Sequence, residues 1–277
     1  MTDVAHSSLQ DSPLGQTTQY PQRYQPELLF GIPRADNRGH LSIPDNWFGA
    51  DIWNAYEMSW LNSKGKPVVA VGRFEIPWQS PHLIESKSLK LYLNSFNEER
   101  VSDVPSLRAR IQEDLSAVAG APVKVTLHSL EELNGQLIGV LPGILLDELD
   151  IEITHYTPQA NLLKLADKAQ RVTETLRSDL LKSNCLVTNQ PDWGSVQVQY
   201  TGPQIDHASL LAYIVSLRQH NEFHEHCVER LYHDIWTLCK PEKLFVYARY
   251  TRRGGLDINP WRASYAARVD EPRLARQ

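Results

Sequence analysis

Ser183-Asn184-Cys185-Leu186-Val187-Thr188-Asn189-Gln190-Pro191-Asp192-Trp193-Gly194 is the stretch from which the fold class unfolds. It reads as the end of one strand, a Pro-containing turn and the start of another strand. A long strand is expected over residues 172–188. A second follows over 194–200, where Val196, Val198 and Tyr200 alternate with polar residues at the period of a half-buried strand. Next comes a helix over 206–220, with Leu210, Ile214 and Leu217 on one stripe and Asp206 as its N-cap. A second helix over 224–238 carries Cys227, Leu231, Ile235 and Leu238. A strand over 243–250 closes the set.

The first half repeats this order. Residues 50–61 and 67–78 read as strands around a turn at Lys64-Gly65-Lys66. The alternation changes phase near Gly72, which predicts a bulge there. Residues 85–96 form a short helix. Residues 105–119 form a clearer one, with Leu107, Ile111 and Leu115 on one face and Gly120 just past its end. Residues 122–130 return to strand. Strand-strand-helix-helix-strand twice over is a duplicated α+β module. The halves share the order of elements and no strong identity. Residues 1–40, rich in Gln, Pro, Ser and Arg, read as a loose N-terminal extension, with structure starting near Ala50. The first module spans 41–150, a connector 151–170 and the second module 171–277. The apolar stretch 137–146, broken by Pro142 and Gly143, reads as the end of the first module and the start of the connector.

The 277 residues, 42% apolar, suffice for one large core or two ordinary ones. A net charge of −5 gives no general basic footprint, which argues against a nucleic-acid-binding surface. The first twenty residues are polar, without the apolar centre of a signal peptide. No apolar run approaches the roughly 18 residues that cross a bilayer. Three cysteines, an odd number without a paired framework, suit a reducing cytosol.

Taken singly, Cys185 and Asp192 have ordinary readings: a free Cys is usually a small buried hydrophobe, and an Asp after Pro a turn former. The string around them, however, resembles the nucleophile loop of the NADPH-dependent 7-cyano-7-deazaguanine reductases, the nitrile reductases of queuosine biosynthesis. Glu85-Ser86-Lys87-Ser88-Leu89-Lys90-Leu91-Tyr92 resembles the signature that separates this family from others of its fold. Phe223-His224-Glu225-His226-Cys227 and Arg252-Arg253-Gly254-Gly255 fit in order and spacing. The resemblance is to the long, two-module branch and runs from about residue 20 to the C-terminus.

The resemblance implies tandem tunnelling-fold modules, with antiparallel sheets, helices on one face and a barrel formed by assembly of a homodimer. It implies a cytoplasmic enzyme using NADPH on a 7-deazapurine nitrile. It makes Cys185 the nucleophile and Asp192 the proton carrier. Ile84, Glu85, Ser86, His224 and Glu225 bind substrate, Glu225 through the two adjacent N–H donors of a guanine-like edge. Ser86, Lys87, Arg253 and Gly254 hold the cofactor phosphates, and no metal is involved. Neither half carries a complete set.

The residues fit that chemistry. The chain has no Gly-x-Gly-x-x-Gly and no Walker sequence, which argues against a Rossmann-type cofactor site. Lys87 offers a point charge, Arg253 a flat fork of donors, and Gly254 a backbone an oxyanion can approach. In their ordinary reading Lys87 and Lys90 are a solvated helix face, and Arg252 to Gly255 a charged hairpin turn. A nitrile accepts hydride poorly until a thiolate adds to its carbon, so covalent catalysis divides the reaction. Asp192 then needs a raised pKa, for which Trp193 and Pro191 are the expected source of desolvation. Cys227, on an apolar stripe, and Cys239, at a helix end, read as structural. Glu225 and His224 in a first helical turn also have an ordinary reading, since a carboxylate there favours the helix dipole.

Two other classes compete. His220, His224 and Cys227 on one helix could face one zinc, as in a cyclohydrolase-like enzyme of the same fold, although this is not a recognised zinc spacing. A non-catalytic purine-binding module is the other, against which the joint presence of Cys185 and Asp192 speaks.

Overall fold

A computed structural model describes residues 20–39, 41 and 46–277 of the chain. They fall into two units, each assembled from separate stretches. Of the described residues the first comprises 20–39, Asp51–Gln136 and Arg252–Asp257; the second comprises 41, 46–50, Leu137–Thr251 and Ile258–Gln277. The fold is mixed α+β, with largely antiparallel sheets.

The elements begin with β1 (Gly31–Pro33), β2 (Phe48–Leu61), β3 (Pro67–Pro77), β4 (His82–Ile84), α1 (Ser86–Asn94), α2 (Val104–Ala119) and β5 (Lys124–His128). In the first unit the strand order is β5-β3-β2, and β1 pairs separately with β4. The stripe Leu107, Ile111 and Leu115 of α2 is buried, each side chain contributing about 1.5–3 kcal/mol. Asp103 caps the helix by accepting from the Ser106 amide at 2.7 Å, and Gly120 ends it at φ 68°.

Two expectations fail here. Order begins well before Ala50, with a helical turn at Pro26–Leu28 and with β1. The Glu85 amide donates to the Phe30 carbonyl and the Phe30 amide to Ser88 Oγ, so this segment is held by contacts with residues far along the chain, which leave no periodic pattern in its own sequence. The rest of the expected extension, residues 1–19 and 40, lies outside the described residues. There is also no bulge at Gly72 in the β3–β5 pairing, which runs in unbroken register from Val71–His128 to Glu75–Lys124. Ala70, Gly72, Phe74 and Ile76 form one buried row. Gly72 belongs to it because a Cβ there would collide with Met58 Sδ and the Phe74 ring. Val69, which suggested the phase shift, is exposed.

The second unit contains β6 (Ile138–Gly139), β7 (Ile144–Leu145), β8 (Arg171–Asn184), β9 (Pro191–Pro203), α3 (His207–Ser216), α4 (His224–Cys239), β10 (Lys243–Tyr250), β11 (Leu256–Ala263) and β12 (Arg273–Leu274). Its sheet runs β11-β10-β9-β8-β7, antiparallel except for the short parallel pair β7–β8. A register shift between Ser178 and Leu181 bends β8 before it reaches the nucleophile turn. Helix α3 packs on β8 and α4 on β10. Asp206 caps α3 by accepting from the Ser209 amide at 2.7 Å.

The stripe of α4 departs from expectation at its end. Cys227, Leu231 and Ile235 are buried, but the last buried position is Cys239, while Leu238 is 44% exposed. Spacing by four keeps 231, 235 and 239 on one face, and 238 rotates off it. Arg262 on β11 donates to Glu229 of α4 at 2.7 Å, both fully buried. The stretch 137–146 belongs to this unit, and only Leu141 and Leu146 of its apolar side chains are among the buried core. Leu141 packs with Phe245, Tyr247, Ala263 and Leu274 on the sheet face away from α4. Among the described residues no helix is long and apolar enough to cross a membrane.

Candidate active site

Strand β8 ends at Asn184, and the chain turns tightly to begin β9 at Pro191. The Cys185 amide donates to the Gln190 carbonyl at 2.8 Å, and the Asn189 amide to the Cys185 carbonyl at 3.0 Å. Asn189 closes the turn at φ 56°, the left-handed region that Asn tolerates better than most residues. Cys185 is thereby held in place and largely buried, at 7% exposed.

Asp192 lies in β9, directly across from Ser183, and is buried. It is a strand residue, not the turn former its sequence position suggested. His224 opens α4 with its Nε2 at 3.6 Å from Asp192 Oδ1, and its ring meets Tyr250 edge-on at 4.2 Å between centroids. Burial, with Cys227 and Asp192 nearby, pushes the Tyr250 hydroxyl far above its usual range. Glu225, next along the helix, is also buried. No side chain caps α4, so its first-turn amides and dipole favour an ionised carboxylate there.

Trp193 does not desolvate Asp192. Neighbouring strand residues point to opposite faces, and Trp193 stacks instead beneath Arg218 at 5.2 Å and Lys182 at 5.9 Å, partly exposed. The burial of Asp192 comes from its setting among Ser183, Tyr250 and Cys227, all of them buried.

Sequence reasoning missed Glu222. It accepts from His220 and, at 3.3 Å, from Arg230. Burial raises its pKa, but the hydrogen bond and charge of His220 and the charge of Arg230 outweigh that, and the net shift is downward. Its spacing of three from Glu225 was the only available signal. The same contact removes the premise of the zinc reading. His220 is extended, at ψ 129°, just before the helix that His224 starts, so the two imidazoles do not share one helix. Among the described residues no group of three His, Cys, Asp or Glu is arranged to hold a metal.

The remaining sequence-named residues lie in the first unit. Ile84 ends β4 and is buried. Glu85 caps α1, accepting from the amides of Lys87 at 2.8 Å and Ser88 at 2.7 Å. Burial raises the Glu85 pKa against the pull of these donors. Ser86 and Lys87 open the helix. Arg253, Gly254, Gly255 and Leu256 form a hairpin turn, the Arg253 amide donating to the Leu256 carbonyl at 2.8 Å. Both glycines have positive φ, 58° and 75°, which a type I′ turn requires. The hairpin reading of this string therefore holds alongside any binding role. A Cβ on Gly254 would meet Lys90 Cε and Nζ at 3.1 Å. Bare backbone thus faces an ammonium group, beside a hollow lined by Glu57, Lys90, Asn94 and Gly255. Lys87 sits one turn before Lys90. Lysines beside glycine backbone suit a phosphate, while the amides of Lys87 and Ser88 are taken by Glu85.

The three thiols differ in one checkable way. Burial pushes the Cys227 thiol up to about 12 and the Cys239 thiol up to about 11. Both side chains are fully buried. Native protein treated with iodoacetamide at about pH 8 should therefore gain no alkyl group at Cys227 or Cys239, which leaves Cys185 as the one thiol to label. Intact mass and peptide mapping check this; a label at Cys227 or Cys239 in folded protein contradicts it.

A family model described as "Nitrile reductase, 7-cyano-7-deazaguanine-reductase N-term" matches residues 20–127, and one described as "QueF-like protein" matches residues 191–268. The chain is 53% identical to the NADPH-dependent 7-cyano-7-deazaguanine reductase of Acidovorax ebreus, over 96% of this chain and 98% of the relative. It is 55% identical to the protein of the same name from Dechloromonas aromatica, over 100% and 98%. It is 54% identical to that of Bordetella parapertussis, over 98% and 100%. A solved structure of the archaeosine synthase QueF-Like in the apo form aligns with a TM-score of 0.31 and 18% identity, over 35% of this chain and 96% of that one. The chain belongs to the family of NADPH-dependent 7-cyano-7-deazaguanine reductases.

Proposed function

We infer that this protein reduces the nitrile of 7-cyano-7-deazaguanine to the primary amine of 7-aminomethyl-7-deazaguanine with NADPH, on the route to queuosine in tRNA. Within the second unit, the observation that carries the reading is a thiol held in a rigid turn, with buried Asp192 across the same hairpin and His224 beside that carboxylate.

The Cys185 sulfur adds to the nitrile carbon, and Asp192 carries the thiol proton to the nitrile nitrogen, giving a thioimidate. NADPH supplies two hydrides, one to the thioimidate carbon and one to the later imine. Between them the carbon–sulfur bond breaks, and the sulfur leaves as thiolate and regains its proton. Asp192 and His224 move those protons, a reading supported by their separation of 3.6 Å. Glu225 accepts from the guanine-like edge, with Ile84, Glu85 and Ser86 as further substrate contacts. Ser86, Lys87, Arg253 and Gly254 hold cofactor phosphates, and Lys90, set against Gly254, joins them.

The finer architecture belongs to the same reading: tandem tunnelling-fold modules at 41–150 and 171–277, joined by 151–170, acting as a cytoplasmic homodimer whose sheets close a barrel. It has no nucleic-acid or membrane partner and needs no metal. Nitrile to amine is a four-electron change, so the test is stoichiometry. Purified protein should consume two NADPH for each amine formed and be indifferent to chelators. A ratio of one, with imine or aldehyde released, refutes the scheme.

A further inference from the structure

The turn that carries Cys185 is tied to the segment leading into α4 by backbone hydrogen bonds and by the side chains of Asn221 and Lys182. The Asn184 amide donates to the His220 carbonyl at 2.7 Å, and the Glu222 amide to the Asn184 carbonyl at 3.1 Å. These bonds set Asn221 beside Asn184 as an isolated parallel bridge. Asn184 Nδ2 donates to Asn221 Oδ1 at 3.2 Å, and Asn221 Nδ2 donates to Asn189 Oδ1 at 3.0 Å. Asn184 precedes the thiol, and Asn189 closes the turn after it. The Asn221 carboxamide thus spans both ends of the nucleophile turn. Lys182 extends the chain: its Nζ donates to Asn184 Oδ1 at 2.6 Å and to the Arg218 carbonyl at 2.8 Å. With its oxygen engaged by Lys182, the Asn184 amide group is left to donate toward Asn221.

We propose that Asn221 is a positioning residue for Cys185, a clasp that fixes the nucleophile turn against the helix carrying His224 and Glu225. The side-chain hydrogen bonds of Asn221 go to Asn184 and Asn189, and it acts through them. The geometry asks for an amide, because position 221 must accept from one neighbour and donate to the other. Aspartate loses the donor, and alanine loses both. Asn189 has a double duty, since it must also hold a left-handed backbone. Asn189→Gly keeps that conformation and removes only the side-chain bond.

This inference rests on Cys185 being the nucleophile, and its test reads the thiol separately from turnover. Asn221→Ala, Asn221→Asp and Asn189→Gly are compared with the unaltered protein for reductase kcat and KM and for the rate of Cys185 alkylation by iodoacetamide. Cys185→Ala serves as the labelling control. Loosening the turn should speed alkylation of the buried thiol severalfold and lower kcat by about 10- to 100-fold, the scale of a misplaced reacting group. The KM for NADPH should stay within about twofold, because the proposed cofactor residues lie elsewhere. The opposed movement of alkylation and kcat marks positioning; general loss of fold would raise labelling at Cys227 and Cys239 as well. The proposal is overturned if alkylation and kcat of all three variants stay within about twofold of the unaltered protein. It is equally overturned if all three cysteines become labelled together. If Cys185→Ala retains turnover, the nucleophile reading fails instead, a result that alkylation of the Asn221 variants does not depend on.

Discussion

Protein mixed with 7-cyano-7-deazaguanine in the absence of NADPH should gain the full mass of the substrate, with nothing lost, on the peptide containing Cys185. Addition of a thiol across a nitrile expels no group, so the adduct retains every atom of both partners. Cys185→Ala should show neither adduct nor turnover. Loss of a covalent nucleophile removes the whole route, not a fraction of it. Cys227→Ala should keep both, since that thiol is fully buried and pushed up to about 12. It is buried in the core, so some loss of stability is expected there without loss of chemistry. An active Cys185→Ala enzyme would sink the mechanism.

Asp192→Asn should lose about 10²–10⁴-fold in turnover, the usual contribution of general acid–base catalysis. The fold should survive, because Asn matches Asp in size within β9 and the strand's backbone pairing with Ser183 is untouched. Adduct formation should slow with turnover, since the nitrile nitrogen must gain a proton as the sulfur adds. Circular dichroism and thermal melting establish the fold; stopped-flow or quenched mass measurements give the adduct rate. Unchanged turnover at neutral pH would reduce Asp192 to a structural strand residue.

Elements with a clean period were legible in the chain. Strand β10 and helix α2 stand within a residue of where alternation and the Leu107-Ile111-Leu115 stripe put them. Strand β11 was invisible for a physical reason. Its buried residues include Asp257, Asn259 and Arg262, made tolerable by partners such as Tyr56 and Glu229 that lie far away in sequence. Pro260 also masks it, since proline reads against a strand. Within the site, Cys185 and Asp192 were found through a string of residues. Tyr250 and the Asn184–Asn221–Asn189 clasp depend on tertiary contacts across tens of residues, Glu222 on pairing with nearby His220 and Arg230, and no periodic pattern announces any of them. The role given to Trp193 failed because adjacency in sequence was taken for adjacency in space, which strand alternation forbids.

The glycine turn at Arg252–Asp257 belongs to the first unit, although the residues before and after it belong to the second. Neither unit is therefore one contiguous piece of chain. A premature stop anywhere between residues 137 and 251 removes from the first unit the backbone that faces Lys90, while every residue of Asp51–Gln136 is still synthesised. On the ribosome the first unit waits for almost the last stretch of the message before its Gly254–Lys90 contact can form. The order of synthesis itself interleaves the two units.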